Sequence, residues 1–200
     1  QVLGFALRGG SVAILLGVFT VVAWWFSRKE PAPPSASRPA ALFLLPVAVL
    51  GALLLLRTTL QPLAFVDNLW RWDHLAVLVG ERASLDFYPP ASPGDYTLYS
   101  YADGIPPLVS LAYWFLYQGA GGHQPSVTSL FIVLQYLSLV ALTWRLGSRL
   151  FGPWAGGFGA ACLVSSRLLF RAVATGHETG LTTLSLVGCL YFLVVARDTP

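Results

Sequence analysis

The chain has 200 residues, of which 56% are hydrophobic and 10% charged, with a formal net charge of +3 and a mean hydropathy of +0.66. Soluble globular domains carry about 25% charged residues, and disordered chains combine low hydrophobicity with high charge, so disorder is excluded and a water-soluble globule nearly so. Twelve basic residues scattered along the chain make no nucleic-acid stripe. The composition points to an all-α polytopic membrane protein.

A bilayer-spanning helix needs about 20 mostly apolar residues. Residues 10–26 are the first such stretch, with Trp24 and Trp25 at its end as interfacial anchors. Residues 27–39 are rich in Pro and Ser and carry Arg28, Lys29 and Arg38 against Glu30, which reads as a cytoplasmic linker. Residues 40–56 are a second span, with room to run on to 60. A long outer loop follows, 57–106, and within it 65–79 reads as an amphipathic helix with Val66, Leu69, Trp70, Val77 and Leu78 on its apolar side. Residues 107–117 are apolar and aromatic but about half the spanning length. The breaker cluster 118–125 closes them, so they read as a short interfacial helix. Spans three to five are 126–144, 153–169 and 181–196. The fourth is rich in small residues that permit close helix contact, among them Gly156, Gly157 and Ala160. The expected fold is therefore about five transmembrane helices plus juxtamembrane helices in a long outer loop.

Positive charge orders this topology. Arg145, Arg149 and Arg197 join the 27–39 linker on the cytoplasmic side only if 107–117 does not cross. Residues 57–106 and 172–180 then lie outside. The two cysteines, Cys162 and Cys189, sit in apolar runs without metal or redox spacing and read as packing residues. The chain starts at Gln1 and contains no methionine, so it reads as a slice or a processed chain with further sequence expected, above all after Pro200.

Six of the nine acidic residues fall in the outer loop: Asp67, Asp73, Glu81, Asp86, Asp95 and Asp103. Asp67, Arg71 and His74 fall at i, i+4 and i+7, on one helical face, while Asp73 points elsewhere. That face fits either an ordinary ion pair on an interfacial helix or a site. Tyr96, Tyr99 and Tyr101 are spaced to stack on a sugar or to sit at the membrane interface. Arg167 and Arg171 share a face near the outer end of the fourth span, where arginines snorkel or hold a lipid phosphate. Glu178, preceded by His177, opens the fifth helix, where a carboxylate either caps the helix dipole or does chemistry.

Four local motifs occur in order across residues 40–197. They are Asp67-Asn68-Leu69-Trp70-Arg71, Gly104-Ile105-Pro106-Pro107-Leu108, Arg149-Leu150-Phe151-Gly152 and Gly176-His177-Glu178-Thr179-Gly180-Leu181. This order resembles the N-terminal part of the GT-C glycosyltransferases that use polyprenyl-phosphate sugars, nearest to the aminoarabinose transferases of lipid A and the protein O-mannosyltransferases. The chain departs from that pattern in three ways. Asn68 stands where the family often has a second acid, Glu178 stands where many relatives have Asp, and the span 10–26 is additional. The family's C-terminal half is absent here, so this chain alone is not expected to be active.

The resemblance implies an inverting sugar transfer from a polyprenyl-phosphate donor to a lipid, glycan or protein acceptor. The reaction would run on the outer face of a bacterial inner (plasma) membrane. It implies Asp67 and Glu178 as catalytic residues, with Asp73 as a candidate substitute for the missing second acid. It implies Arg71, His74, Tyr101, Pro107, Arg167, Arg171 and His177 as substrate-binding residues. Both Asp67 and Glu178 are expected to open onto one outer cavity. Some relatives use a divalent cation, but one Asp and one Glu without a His/Cys framework give no clear ligand set, so no metal is assigned. The competing class is a non-enzymatic membrane protein, a transporter or lipid flippase, which would place ionisable residues inside its spans or in discontinuous helices. No nucleic-acid partner is expected.

Overall fold

The apolar run starting at Leu44 has Pro46 in its first turn, where a missing N–H is tolerated, and no further proline until Pro62. In a computed structural model of the protein this run is helix α1, Leu44–Leu60. The structure describes residues 42–101, 105–176 and 178–198. It is all-helical, with no strand among the described residues. The expected span 10–26, the linker 27–39, residue His177 and the Gly104 of the second motif lie outside the described residues. The chain divides into two compact units.

The first unit is Phe65–Val127. A π-helical turn, Asn68–Asp73, runs directly into α2, His74–Arg82. That helix stops at Ala83, which takes a left-handed conformation (φ 51°) and donates its N–H to the Val79 carbonyl. Helix α3, Pro93–Leu98, is opened by a reciprocal cap. The Ser92 hydroxyl accepts from the Asp95 N–H, and the Asp95 carboxylate accepts from the Ser92 N–H. Helix α4 is Leu108–Gly119, followed by a 3-10 turn at Pro125–Val127. Helix α2 packs on α4. Leu75, Ala76 and Val79 are buried on the first, and Val109, Tyr113 and Trp114 on the second. Each large apolar side chain buried here contributes roughly 1.5–3 kcal/mol. Gly80 allows the approach, since a Cβ there would lie 3.3 Å from Trp114.

The second unit combines α1 with α5 (Thr128–Phe151), α6 (Pro153–Ser165), α7 (Arg167–Ala174) and α8 (Glu178–Asp198). Gly152 turns α5 into α6 with φ 94°, a conformation that favours glycine. The two helices then approach at backbone distance. A Cβ on Gly156 would collide with the Ser148 hydroxyl and lie 2.5 Å from the Trp144 carbonyl. This is how the small residues of the fourth apolar run are used. The core of the unit is Val47, Leu54, Ile132, Tyr136, Val140, Ala160, Val164 and Val173. Tyr136 donates its hydroxyl to the Val47 carbonyl at 3.1 Å, tying α5 to α1.

Among the described residues two helices are long and apolar enough to cross a membrane, Pro125–Phe151 and Glu178–Arg197, and only 11% of the apolar window of the second is buried. Leucines and phenylalanines such as Leu134, Leu186, Phe192 and Leu193 face outward from them. The apolar helix Leu45–Leu60 is shorter. The expected span 153–169 is not one helix. Ser166 is extended (φ −71°, ψ 112°), which ends α6 after 13 residues, about 20 Å of axis against a hydrocarbon core of about 30 Å. The break falls at Ser165-Ser166, a residue type whose hydroxyl competes for backbone partners. The Ser166 carbonyl then starts α7 by accepting from the Phe170 N–H.

Candidate functional site

The segment from Asp67 to His74 is wound more loosely than an α-helix. The His74 N–H reaches the Leu69 carbonyl, five residues back, and such π turns are frequent at functional sites. The loose turn puts Asn68 and Asp73 together on the buried side, at 2% and 4% exposure. Asp67, Trp70 and His74 remain exposed, and Arg71 is half-buried. The Arg71 guanidinium lies over two rings, 4.7 Å from Trp72 and 5.6 Å from Tyr101, which fixes a cation on this face.

An open cavity of about 280 Å³ lies beside it, lined by Trp70, His74, Tyr96, Thr97, Ser100 and Tyr101. His74 donates through Nε2 to the Leu98 carbonyl at 3.1 Å and stacks on Tyr99. Tyr99 also meets Tyr88 and Tyr101 edge-on or tilted. Burial raises the Tyr99 hydroxyl above the ordinary tyrosine range, and Arg71 pulls the other way. The three closely spaced tyrosines are thus split between roles, with Tyr99 buried as a support and Tyr96 and Tyr101 lining the cavity. Pro107 is half-buried and immediately precedes α4.

Asp73 occupies a different environment. The Tyr117 hydroxyl donates to its carboxylate, and His123 Nε2 lies 3.0 and 3.1 Å from the two carboxylate oxygens. Burial, and then the hydrogen bond to Asp73, push the Tyr117 hydroxyl far above its ordinary value, so it stays a donor. Tyr113 is raised by burial and by the same carboxylate. His123 is itself 46% exposed. Asp73 therefore reads as a buried anchor holding α4 and the following loop, with both its oxygens engaged.

In the second unit, Arg167 and Arg171 are exposed on α7, four residues apart. Glu178 begins α8, and its Oε2 is buried with no hydrogen-bond partner among the described residues. Gln135 on α5 is 3% exposed, and both polar atoms of its side-chain amide lack a partner. Asp67 belongs to the first unit and Glu178 to the second.

Two side chains of consequence escape a reading of the sequence alone. Tyr117 and His123 sit at the end of an aromatic run and inside a glycine-rich breaker cluster, neither of which marks a partner for Asp73. Gln135 did carry a signal, as a lone amide within the apolar run 126–144. Among the described residues no group of three or more His, Cys, Asp or Glu could hold a metal ion. Comparisons with protein-family models, with curated proteins and with solved structures return no match.

Proposed function

We propose that the chain is part of a polytopic membrane glycosyltransferase of GT-C type. It would act on the outer face of the cytoplasmic membrane and move a sugar from a polyprenyl-phosphate donor to a lipid, glycan or protein hydroxyl or amine. The observation that carries this reading is the open cavity beside the Asp67–His74 segment, lined by the rings of Trp70, Tyr96 and Tyr101 and by hydroxyl groups, with the Arg71 guanidinium over the ring of Tyr101. Aromatic faces suit the C–H face of a pyranose, and a guanidinium suits phosphate oxygens.

In this reading the acceptor oxygen attacks the anomeric carbon from the face opposite the phosphate. The bond from that carbon to the phosphate oxygen breaks, and the configuration inverts. The acceptor proton passes to the exposed Asp67 carboxylate. The departing polyprenyl phosphate takes the bonding electrons, and its growing charge is balanced by Arg71. In the second unit Arg167 and Arg171 supply cations for lipid phosphate, and Glu178 supplies a further carboxylate.

The test is transfer from a labelled polyprenyl-phosphate sugar in membranes carrying the full-length protein. Asp67→Asn is expected to lower turnover about 100-fold or more, the usual range for a lost general base, and Glu178→Gln to lower it as well. Near-normal transfer by both variants removes the proposed roles. A second reading, a transporter or flippase, is favoured by one observation: the α6–α7 helix is interrupted at Ser166, and discontinuous helices mark transport sites. Uptake or lipid scrambling by the protein in vesicles, without sugar transfer, would select it.

A further inference from the structure

Helix α7 is short but strongly two-sided. At about 100° per residue, Arg167, Leu168 and Arg171 share one arc, and Phe170 and Val173 share another. Their burial divides them the same way. Val173 is 1% exposed, and Phe170 packs against the core of the second unit. Arg167 and Arg171 are exposed, and Leu168 is 80% exposed. Neither arginine is paired with an acid among the described residues. The chain supplies little to answer them, since it has no acidic residue between Asp103 and Glu178. Two open cations beside an open leucine suit neither water alone nor hydrocarbon alone.

The neighbouring helices set the depth of this face. Gly180 on α8 lies against Gln135 on α5, and Gly188 against Leu142. The two long apolar helices therefore run parallel and start at the same end of the unit. The apolar stretch of α8, Glu178–Arg197, has 20 residues. That is about 30 Å of axis, the thickness of a hydrocarbon core. A helix of that length fills the core from end to end, which puts its first residue at headgroup level. Only residues 175–177 separate α7 from it, and α7 packs on α5, α6 and α8. The outward arc of α7 is thereby held where lipid phosphates lie. Arg145, Arg149 and Arg197 belong to the opposite end of the unit.

We infer that α7 is a docking surface for the anionic phospholipid headgroups of the surrounding bilayer. A guanidinium presents a planar fork that matches two phosphate oxygens. Two of them one turn apart, about 6 Å along the axis, serve one phosphate or two neighbours. Leu168 enters the acyl layer just below. Charge selects anionic over zwitterionic lipid. A zwitterionic head brings its own cation to each phosphate, whereas an anionic head leaves net charge for the arginines to balance. A free phosphate would answer the arginines but not Leu168. The arc faces away from the core of the unit, so it meets bulk lipid rather than a reactant held in a site. It does so whether or not the protein transfers sugar.

The experiment uses the full-length protein in nanodiscs of mixed phosphatidylglycerol and phosphatidylcholine. Cys162→Ser, Cys189→Ser and Leu168→Cys together give one thiol on the arc, at a position so exposed that a label displaces little packing. A nitroxide there is expected between the headgroups and the upper acyl chains, read from its collisions with oxygen against those with a water-soluble nickel chelate. A fluorophore there is quenched by trace lipid carrying the same acyl-chain quencher on either headgroup. Phosphatidylglycerol is expected to be enriched about threefold or more over phosphatidylcholine. Arg167→Gln with Arg171→Gln is expected to abolish the enrichment, and Arg167→Lys with Arg171→Lys to keep most of it. Equal quenching by the two lipids, or a nitroxide in bulk water, overturns the docking surface, and neither reading needs an arginine variant to fold. Enrichment that survives the glutamine pair, or that is lost equally in both pairs, overturns it as well. So does displacement of the labelled phosphatidylglycerol by polyprenyl phosphate equimolar with the protein, which would give these arginines to the sugar carrier instead.

Discussion

The two units bury polar groups on opposite terms. In the first, Asp73 is 4% exposed and has both oxygens engaged, by the Tyr117 hydroxyl and the His123 ring. In the second, Gln135 is as deeply buried and its amide has no hydrogen-bond partner among the described residues. A buried polar group that is fully bonded stabilises and specifies a fold, whereas one left open costs about 1–3 kcal/mol. The difference teaches where each unit spends its polar chemistry. The first uses a carboxylate as a structural peg and keeps its exposed acid, Asp67, and its aromatic cavity on another face. The second carries an unmet demand in its interior.

Breaking the peg should give the largest effect. Asp73→Ala strands the Tyr117 hydroxyl in the interior and is expected to cost about 3 kcal/mol, read as a fall in the thermal midpoint by tryptophan fluorescence. If the protein unfolds no earlier, Asp73 is not the anchor of its unit. Packing in the second unit should come next. Gly156→Ala sets a methyl group against the Ser148 hydroxyl and the Trp144 carbonyl, at an expected cost of about 1–3 kcal/mol. A neutral result would mean that α5 and α6 do not meet at backbone distance.

The smallest effect belongs to the α3 cap. The Ser92 hydroxyl and the Ser92 and Ala91 N–H groups hold the Asp95 carboxyl below the usual carboxylate range. A depressed acid contributes stability that is full above its unfolded value and is lost as pH falls through the folded one. Helix α3 should therefore fray only in acid, below the ordinary carboxylate range. Amide hydrogen exchange across Pro93–Leu98, compared between wild type and Asp95→Asn, reads this directly.

Much of this contrast follows from local sequence, and some of it does not. Apolar runs give the long helices, and the glycines of the 153–161 segment give a close helix contact, because both depend on residues near in the chain. The cap at Ser92 and Asp95 is local too, but Pro93-Gly94 inside it reads as a turn, so the segment reads as loop where the structure has helix α3. The inward side of Asp73 depends on one loosely wound turn, and no residue from Asn68 to Asp73 announces it. Its partners lie 44 and 50 positions away. The break at Ser166 lies inside a longer apolar stretch, and periodicity does not register a single extended residue. Gln135 reads as an ordinary tolerated amide until its surroundings show that nothing bonds to it.

The two thiols, Cys162 on α6 and Cys189 on α8, are both free and exposed, and the sequence holds no others. Nature has thus left two ready attachment points on the broken helix and on an intact one. A nitroxide or fluorophore coupled to each becomes a depth gauge, and paramagnetic oxygen or brominated acyl chains would report how far each helix sits from water.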